Sequence, residues 1–276
     1  MQIHQGYCVS GSACRLLYRC WRPKKTKGML LIIHGFGEHS GRYENLAQHL
    51  AAQGYAVYAP DLRGHGGSEG QRGHIDRWLD YRSDLATLYR YMEIWEGSVP
   101  GFLYGHSMGS LVVLEYLTGQ APGVRGAIVS GVLLEPGQPA HPLLVAAARF
   151  LSRHWPNAPL WLNLSPKALS RDPEVVRAYR KDPLVHNRAS ARWGTEVLRT
   201  IELVKEEVKS IQRPLLILHG EADTISRVEG ARWLFREVSS ADKELRIYPG
   251  GFHEPHNDLC KDQVLQDISE WLERHL

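Results

Sequence analysis

The chain has 276 residues, of which 43% are hydrophobic and 23% charged, and its formal net charge is +3. These values are typical of an ordinary soluble globular protein, and the length suits one large domain with an insertion better than two independent domains. The charge is too small to indicate nucleic-acid binding, and no run of Lys and Arg forms a binding footprint. The densest basic cluster, at 24–27, is interpreted as a solvated turn. We therefore predict no nucleic-acid partner.

We expect neither a signal peptide at the N-terminus nor a membrane-spanning segment. The N-terminus lacks the basic start and apolar run of a signal peptide. The longest apolar stretch, 143–151, is interrupted by Arg149 and is too short to cross a bilayer. The cysteines have no zinc-site spacing and are predicted to be free, mostly buried thiols, which favours a cytoplasmic location. They are Cys8, Cys14, Cys20 and Cys260.

Short apolar runs alternate with amphipathic segments of helix length, which predicts a mostly parallel sheet with helices on both faces. Later runs, such as 30–33 and 215–218, are continuously apolar, as central strands buried on both faces must be. The eight predicted strands are 6–10, 13–21, 29–34, 56–60, 101–104, 126–134, 214–219 and 245–248. The predicted helices are 43–53, 78–95, 108–117, 228–237 and 262–275.

Residues 135–213 interrupt this alternation. They contain helical segments, several prolines and scattered tryptophans, but no pattern of a buried strand. We predict a helical cap at 135–213, inserted into an α/β core formed by 1–134 and 214–276. Within 142–161, apolar and polar residues alternate. Two interpretations stay open for this stretch: a helix packed on the core beneath, or a lid that also contacts a lipid or membrane surface.

The most informative stretch is Gly105-His106-Ser107-Met108-Gly109, which follows an apolar strand and leads into an apolar helix. In this context Gly-x-Ser-x-Gly predicts a tight strand-to-helix turn that lifts a serine hydroxyl above the sheet. The small residues two before and two after the serine let strand and helix approach closely. The helix N-terminus favours negative charge beside it. Ser107 is therefore the candidate nucleophile of a hydrolase.

A serine nucleophile needs a general base, and the 14 histidines make composition uninformative. Chain order decides instead, because this arrangement takes nucleophile, acid and base in that order, each after a strand. His253 follows the last strand and is the candidate base. His256 is the main competitor, and His275 lies in the terminal helix.

The acid should follow the strand at 214–219, where Asp223 can hydrogen-bond the imidazole and hold its tautomer. Glu221 is a near neighbour that we expect to point away. Glu135 follows the preceding strand and is the alternative acid, ranked below Asp223. Asp61 precedes the nucleophile and is interpreted as part of a structural turn.

An oxyanion intermediate needs two backbone donors. The N–H of Met108 is one, and the loop His34-Gly35-Phe36-Gly37 should supply the other from Phe36. No Gly-Lys-Ser/Thr accompanies this glycine-rich loop, so it is not interpreted as a phosphate cradle. His253 and His256 have a His-x-x-His spacing without an acidic third ligand. The sequence therefore implies no metal and no organic cofactor.

Three blocks of the chain resemble the monoacylglycerol lipase and lysophospholipase branch of the α/β hydrolases. They are HGFGEHSGRY at 34–43, DLRGHGGSEG at 61–70 and GHSMG at 105–109. The resemblance persists at Asp223 and at 251–253 and covers nearly the whole chain. In the cap it is thinner, being carried by 169–172 and 179–184.

This resemblance implies the α/β-hydrolase fold and a small lipid substrate, a single-chain acyl ester with a polar head group. It implies cleavage by water through an acyl-Ser107 intermediate, with an apolar acyl tunnel beneath the cap. It also implies that the head group is bound by Glu38, Arg42, Tyr179 and His256. A buried diol needs several donors and acceptors, which fits such a set. For Glu38 and Arg42 a local ion pair at a helix start is an equal alternative.

Two departures leave the acyl-length preference open. Phe36 is bulkier than the small residue often found at that position, and Ser110 replaces a third glycine after the serine. The alternatives are a general esterase or thioesterase, and an amide-cleaving aminopeptidase. An aminopeptidase would need carboxylates in the cap to bind an α-ammonium, and residues 136–170 contain none. A non-catalytic binding protein would lack a member of the triad, and none is missing.

Overall fold

An eight-stranded sheet forms the centre of the computed structural model, which describes residues 1–11, 13–137, 142–162 and 164–276. The strands are β1 (Gln2–Val9), β2 (Arg15–Arg22), β3 (Gly28–Ile33), β4 (Tyr55–Pro60), β5 (Gly101–His106), β6 (Val124–Ser130), β7 (Pro159–Trp161), β8 (Arg188–Ser190), β9 (Leu215–Gly220) and β10 (Lys243–Tyr248). The sheet order is β1-β2-β4-β3-β5-β6-β9-β10, while β7 and β8 form a separate antiparallel pair. Within the large sheet, β2 pairs antiparallel with β1 and β4, and the other pairings are parallel.

Helices cover both faces of this sheet. In β3, Leu31 packs into the layer that contains α2 (Leu79–Glu96) and α3 (Met108–Thr118). Leu30 packs into the layer on the other face, which contains α1 (Glu44–Ala52) and α8 (Lys261–Arg274). Every residue of β3 is buried, as a central parallel strand requires. The predicted eight-stranded α/β fold is thereby confirmed. The helices are α1 (Glu44–Ala52), α2 (Leu79–Glu96), α3 (Met108–Thr118), α4 (Pro142–His154), α5 (Pro173–Lys181), α6 (Ala191–Glu207), α7 (Val228–Glu237) and α8 (Lys261–Arg274).

Several elements differ from the sequence prediction. Strand β1 runs from Gln2 to Val9, whereas the prediction was 6–10. Strand β6 ends at Ser130 and not at 134, because Gly131 adopts a φ of 56° and turns the chain. Val132 and Leu134 stay fully buried beyond that turn, which explains their strand-like apolar pattern. The short antiparallel pair β7–β8 was not predicted at all, since strands of three residues are too short to show alternation.

The segment between β6 and β9 contains α4, α5 and α6 together with the β7–β8 pair. Helix α6 packs against both α3 and α4, and Trp193 of α6 joins the core layer above the sheet. Residues 138–141 and 163 of the predicted cap lie outside the described residues. The division into a core and a cap at 135–213 stays a prediction.

Within the described ranges, no helix combines the length and apolarity that a bilayer crossing would require. The four cysteines are free thiols, of which Cys8 and Cys20 are buried.

Candidate active site

Ser107 lies at the turn between β5 and α3, with φ 52° and ψ −118°. A non-glycine residue with positive φ is strained, and such strain is typical of functional turns. The turn is possible because Gly105 and Gly109 have no side chains: a Cβ on Gly105 would collide with the carbonyl of Gly109, and one on Gly109 with the carbonyl of Ile33. The Ser107 N–H donates to Ser130 O of the neighbouring strand at 2.9 Å. The hydroxyl is therefore held in a fixed position at the carboxyl edge of the sheet.

The structure brings His253 and Asp223 into a hydrogen-bonded chain with Ser107. His253 Nε2 lies 2.9 Å from Ser107 Oγ, and His253 Nδ1 lies 2.7 Å from Asp223 Oδ2. All three residues are buried. The three side chains come from loops after β5, β9 and β10, in the chain order that the sequence predicts.

Asp223 has donors on both carboxylate oxygens. Oδ1 accepts from the N–H groups of Ile225 at 2.8 Å and Ser226 at 3.0 Å. Oδ2 accepts from His253 and lies 3.3 Å from Nε2 of His219. His219 Nδ1 accepts from Val132 N, so its Nε2 carries the proton that Ser226 O accepts at 2.9 Å. The sequence analysis missed His219, because the apolar pattern of β9 does not indicate the contact between His219 and Asp223.

The acid and base shift each other's pKa values. Burial alone raises the pKa of Asp223, but His253 and the surrounding donors lower it by a larger amount. The net pKa of Asp223 therefore lies well below its usual range. Burial alone lowers the pKa of His253, but the Asp223 carboxylate more than offsets this and the net pKa is raised. The pair therefore favours a carboxylate beside an imidazole that accepts a proton readily.

The sequence predicts two backbone N–H donors for the oxyanion, those of Phe36 and Met108; Phe36 lines the cavity at Ser107, and Met108 directly follows that serine. Met108 is the first residue of α3, so its N–H has no acceptor within the helix. The 34–37 loop passes close to the nucleophile: a Cβ built on Gly35 would lie 3.3 Å from Cβ of Ser107. His34 Nε2 accepts from Leu62 N, so its Nδ1–H donates to Gly35 O at 2.7 Å. Because the peptide is planar and trans, this bond fixes the Phe36 N–H in the opposite direction.

A buried ionic group, here called the Arg42 cluster, consists of Glu38, Arg42 and Glu254. Arg42 Nε donates to Glu38 Oε2 at 2.8 Å, and Arg42 Nη2 donates to Glu254 Oε1 at 2.6 Å. The guanidinium carbon lies 4.6 Å from the ring centre of Tyr179. Burial raises the pKa of Glu38, but Arg42 and other neighbours bring the net value down to about 2. Glu254 was missed from the sequence, although it directly follows His253.

His256 is linked to this cluster through Tyr43, whose hydroxyl donates to Glu38. Its ring stacks on Tyr43 with centroids 4.8 Å apart, and its Nδ1 is 3.2 Å from the Tyr104 hydroxyl. Burial lowers the pKa of His256 to about 4, which keeps the imidazole neutral at pH 7. Among the described contacts, His256 makes none with Ser107, so the structure places His253 and not His256 at the nucleophile.

The alternative acids occupy other places. Glu135 accepts from Lys205 Nζ at 2.9 Å. Asp61 accepts from the N–H groups of Ser40 and Gly67, as expected for a structural turn. Glu221 is exposed, and none of these three is bonded to His253 in the described structure.

A small cavity of about 30 Å³ lies over Ser107, which is about the volume of one water molecule. Of the residues predicted for the head group, Glu38 and Tyr179 line it, whereas Arg42 and His256 do not. The lining combines carboxylates with apolar side chains from the loops around it. It consists of Gly35, Phe36, Glu38, His106, Ser107, Leu164, Leu169, Tyr179, Ile225, His253 and Glu254.

Known proteins resemble this chain over nearly its whole length. The family model described as serine aminopeptidase, S33 (Hydrolase_4) matches residues 24–260. The monoacylglycerol lipase of Mycolicibacterium smegmatis is 36% identical over 265 residues, which is 95% of this chain and 94% of that protein. The monoglyceride lipase of Homo sapiens is 32% identical, over 96% of this chain and 89% of that protein.

Solved structures show the same likeness. The crystal structure of Paleococcus ferrophilus monoacylglycerol lipase superposes with a TM-score of 0.86 at 32% identity, covering 100% of both chains. A soluble variant of monoglyceride lipase from Saccharomyces cerevisiae, in complex with a substrate analog, gives a TM-score of 0.87 at 25% identity, covering 100% of this chain and 95% of that one. The chain therefore belongs to the Hydrolase_4 family of α/β hydrolases, on its monoacylglycerol lipase branch.

Proposed function

We propose that this protein is a serine-dependent carboxylester hydrolase that cleaves monoacylglycerols to fatty acid and glycerol. The observation that carries the proposal is the hydrogen-bonded chain from Asp223 through His253 to Ser107, beside a cavity lined by both carboxylates and apolar groups. Relatives named as monoacylglycerol lipases match this chain over nearly its full length, which supports the same substrate class.

Acylation begins when His253 Nε2 takes the proton of Ser107 Oγ as the oxygen attacks the ester carbonyl carbon. The carbonyl oxygen becomes an oxyanion, which the N–H groups of Phe36 and Met108 stabilise. When the intermediate collapses, the bond to the glycerol oxygen breaks and His253 returns the proton to that oxygen. Glycerol leaves and the acyl group stays on Ser107. Asp223 keeps the imidazole oriented and stabilises its positive charge.

Deacylation repeats these steps with water. His253 takes a proton from the water as the water oxygen attacks the acyl carbon. The second oxyanion is stabilised by the same two N–H groups. Collapse breaks the bond to Ser107 Oγ, which receives the proton from His253. The products are a fatty acid and the free serine, and no metal or organic cofactor enters the reaction.

Recognition is divided between a polar and an apolar region. Glu38 and Tyr179 line the cavity and are proposed to contact the glycerol hydroxyls. Arg42 contacts both of them, whereas His256 stacks on Tyr43, whose hydroxyl donates to Glu38. Leu164 and Leu169 come from the proposed cap at 135–213, which we infer covers the acyl chain. A cavity of about 30 Å³ cannot hold an acyl chain, so the cap must move when substrate enters.

The composition of the proposed cap argues against an aminopeptidase. An aminopeptidase would need carboxylates in the cap to bind an α-ammonium group, and residues 136–170 contain none. Relatives named as monoacylglycerol lipases match nearly the whole chain, which supports an ester substrate over a peptide with a free amine.

We also infer a cytoplasmic enzyme that contacts membranes transiently through the proposed cap. Large apolar side chains on α4 and in the residues after it are between 61% and 74% exposed, which is typical of an interaction surface. Arg149 and Arg153 add positive charge to the same helix. The free cysteines are consistent with a reducing compartment. The exposed side chains are Leu143, Leu144, Phe150, Trp155 and Trp161.

A panel of mono-, di- and triacylglycerols of several chain lengths tests the substrate class. Release of fatty acid should be fastest from the mono form, because further acyl chains on the glycerol would have to contact the polar side chains Glu38 and Tyr179. Ser107→Ala should abolish hydrolysis while leaving the thermal unfolding midpoint nearly unchanged. Equal cleavage of all three classes would instead indicate a general esterase, and substantial turnover by Ser107→Ala would refute the serine mechanism.

A further inference from the structure

The Arg42 cluster contains two carboxylates and one guanidinium. Arg42 joins them, donating to Glu38 through Nε and to Glu254 through Nη2. Glu254 receives a further bond from Asn257 Nδ2 at 3.0 Å, and Glu38 receives one from Gly35 N at 2.6 Å. Since these donors, Arg42 aside, are neutral, the cluster keeps one excess negative charge.

The imidazoles of His106 and His256 do not cancel that charge. Burial lowers the pKa of His256 to about 4 and places that of His106 well below its ordinary value, so both rings are neutral at pH 7. Glu38 and Glu254 are 3% and 2% exposed, and both line the cavity over Ser107. Solvent therefore screens the excess charge weakly at the point where a substrate head group must lie.

We propose that Glu254 is a specificity-determining residue that excludes esters with anionic head groups. Its carboxylate pairs with Arg42, the cation at this site that a phosphate or carboxylate head group would need. Its charge also makes the pocket repel anions. This inference rests on the proposed function, and it narrows the substrate class to esters without an anionic head group. Glycerophosphate esters with the same acyl chain are then poor substrates.

The net charge of the whole protein has the opposite sign. At +3 it would attract an anionic substrate at long range. Discrimination against anions must therefore come from the pocket, and it should persist at high salt because the charges involved are buried.

The test compares hydrolysis of 1-decanoylglycerol with that of 1-decanoylglycerol 3-phosphate, which share acyl chain and ester. We expect wild-type kcat/KM to be at least about 100-fold lower for the phosphate, because a single unit charge about 6 Å away already gives that factor at an effective dielectric constant of about 20, and the phosphate carries more than one. Glu254→Gln should reduce this ratio to about tenfold or less, because it removes the excess charge and frees Arg42. Glu254→Asp keeps the charge and should retain most of the discrimination.

Glu229→Gln is the matched control, because it removes an exposed carboxylate on α7 that does not line the cavity. It should leave the ratio unchanged. A wild-type enzyme that hydrolyses both esters equally well overturns the proposal, whatever the variants do. So does an unchanged ratio in Glu254→Gln that still unfolds cooperatively.

A second substrate pair separates this inference from the proposed function. Phenyl butyrate and 4-sulfophenyl butyrate differ in the charge of the leaving group and contain no glycerol. If neither decanoyl ester is cleaved, the monoacylglycerol assignment is wrong, and the aryl pair then decides the charge discrimination by itself. Preference for phenyl butyrate that falls in Glu254→Gln supports the proposal, and equal rates with wild type overturn it.

Discussion

Asp223 is a carboxylate whose environment holds it ionised. The N–H groups of Ile225 and Ser226 donate to Oδ1, while His253 donates to Oδ2 and His219 lies 3.3 Å from it. A fully buried carboxyl without these donors would be protonated near neutral pH. With them, the negative charge remains to stabilise the imidazolium that forms on His253 during proton transfer.

We therefore expect the acid limb of the kcat/KM profile to have an apparent pKa above about 6.5, the value of free imidazole. His253 must be neutral to accept the Ser107 proton, so activity rises as pH increases through its raised pKa. Asp223→Asn removes the charge that raises this pKa. The variant should lose about 10³- to 10⁴-fold in rate, and its residual acid limb should move to lower pH. Hydrolysis of p-nitrophenyl butyrate from pH 5 to 9 measures both effects.

Glu135→Gln is the control, because Glu135 is bonded to Lys205 and not to His253. It should change the rate by less than about threefold and leave the acid limb in place. If Glu135→Gln is the more damaging substitution, the acid has been misassigned.

For single residues, the sequence was informative where chain order constrains the role of nucleophile, acid or base. Ser107, Asp223 and His253 were predicted in the right order, and the structure brings their side chains together. Glu254 and His219 were not predicted, because their contacts join parts of the chain that no local pattern relates. Glu254 meets Arg42 across 212 positions, and His219 Nδ1 accepts a bond across 87.

Helix α4 has an exposed apolar face. Leu143 is 74% exposed and Phe150 is 65% exposed. Their spacing of seven places them on one side of the helix. Ser152, on the other side, is buried and bonded to Thr195 of α6 at 2.8 Å. The helix is therefore anchored to α6 on one side and free to contact a lipid surface on the other.

Replacing both Leu143 and Phe150 by Ser should weaken binding to phosphatidylcholine vesicles at least about tenfold, because two large apolar side chains no longer enter the interface. Sedimentation with vesicles measures the binding, and turnover of a short soluble ester checks that the active site is intact. Ile94→Ser is a matched control on α2, where Ile94 is 67% exposed. Equal vesicle binding by the double variant and wild type would show that α4 is not the contact surface.

Elements with strong patterns were predictable, and weakly patterned ones were not. The parallel strands β3, β5 and β9 are continuous apolar runs, and each was predicted within two residues of its observed ends. The pair β7–β8 was missed, because its pairing depends on tertiary contact more than on its own residues.

At the scale of the whole molecule, several contacts join the proposed cap to the core around the small cavity. His39 Nδ1 accepts from Gly41 N, so its Nε2–H donates to Asp182 Oδ2 at 2.8 Å. His186 N donates to Gly37 O at 2.8 Å. Because these contacts connect residues 182–186 to the loop that carries Phe36, opening the cavity must break some of them.

Asp182→Asn should therefore favour the open state. The substitution removes the charged acceptor of the hydrogen bond from His39. It keeps Oδ1, which accepts from Leu184 N within the same turn. A partly buried pair of this kind contributes about 1 kcal/mol, so the open fraction should rise about fivefold. We expect a long-chain alkyl fluorophosphonate to label Ser107 several times faster in the variant, while a small fluorophosphonate gains less.

Glu174→Gln is the control, because it removes an ion pair internal to α5, and it should change neither labelling rate. Equal labelling of Asp182→Asn and wild type by the long probe would mean that this contact does not limit opening, and the cavity would then open through the contacts of Tyr179 with Arg42.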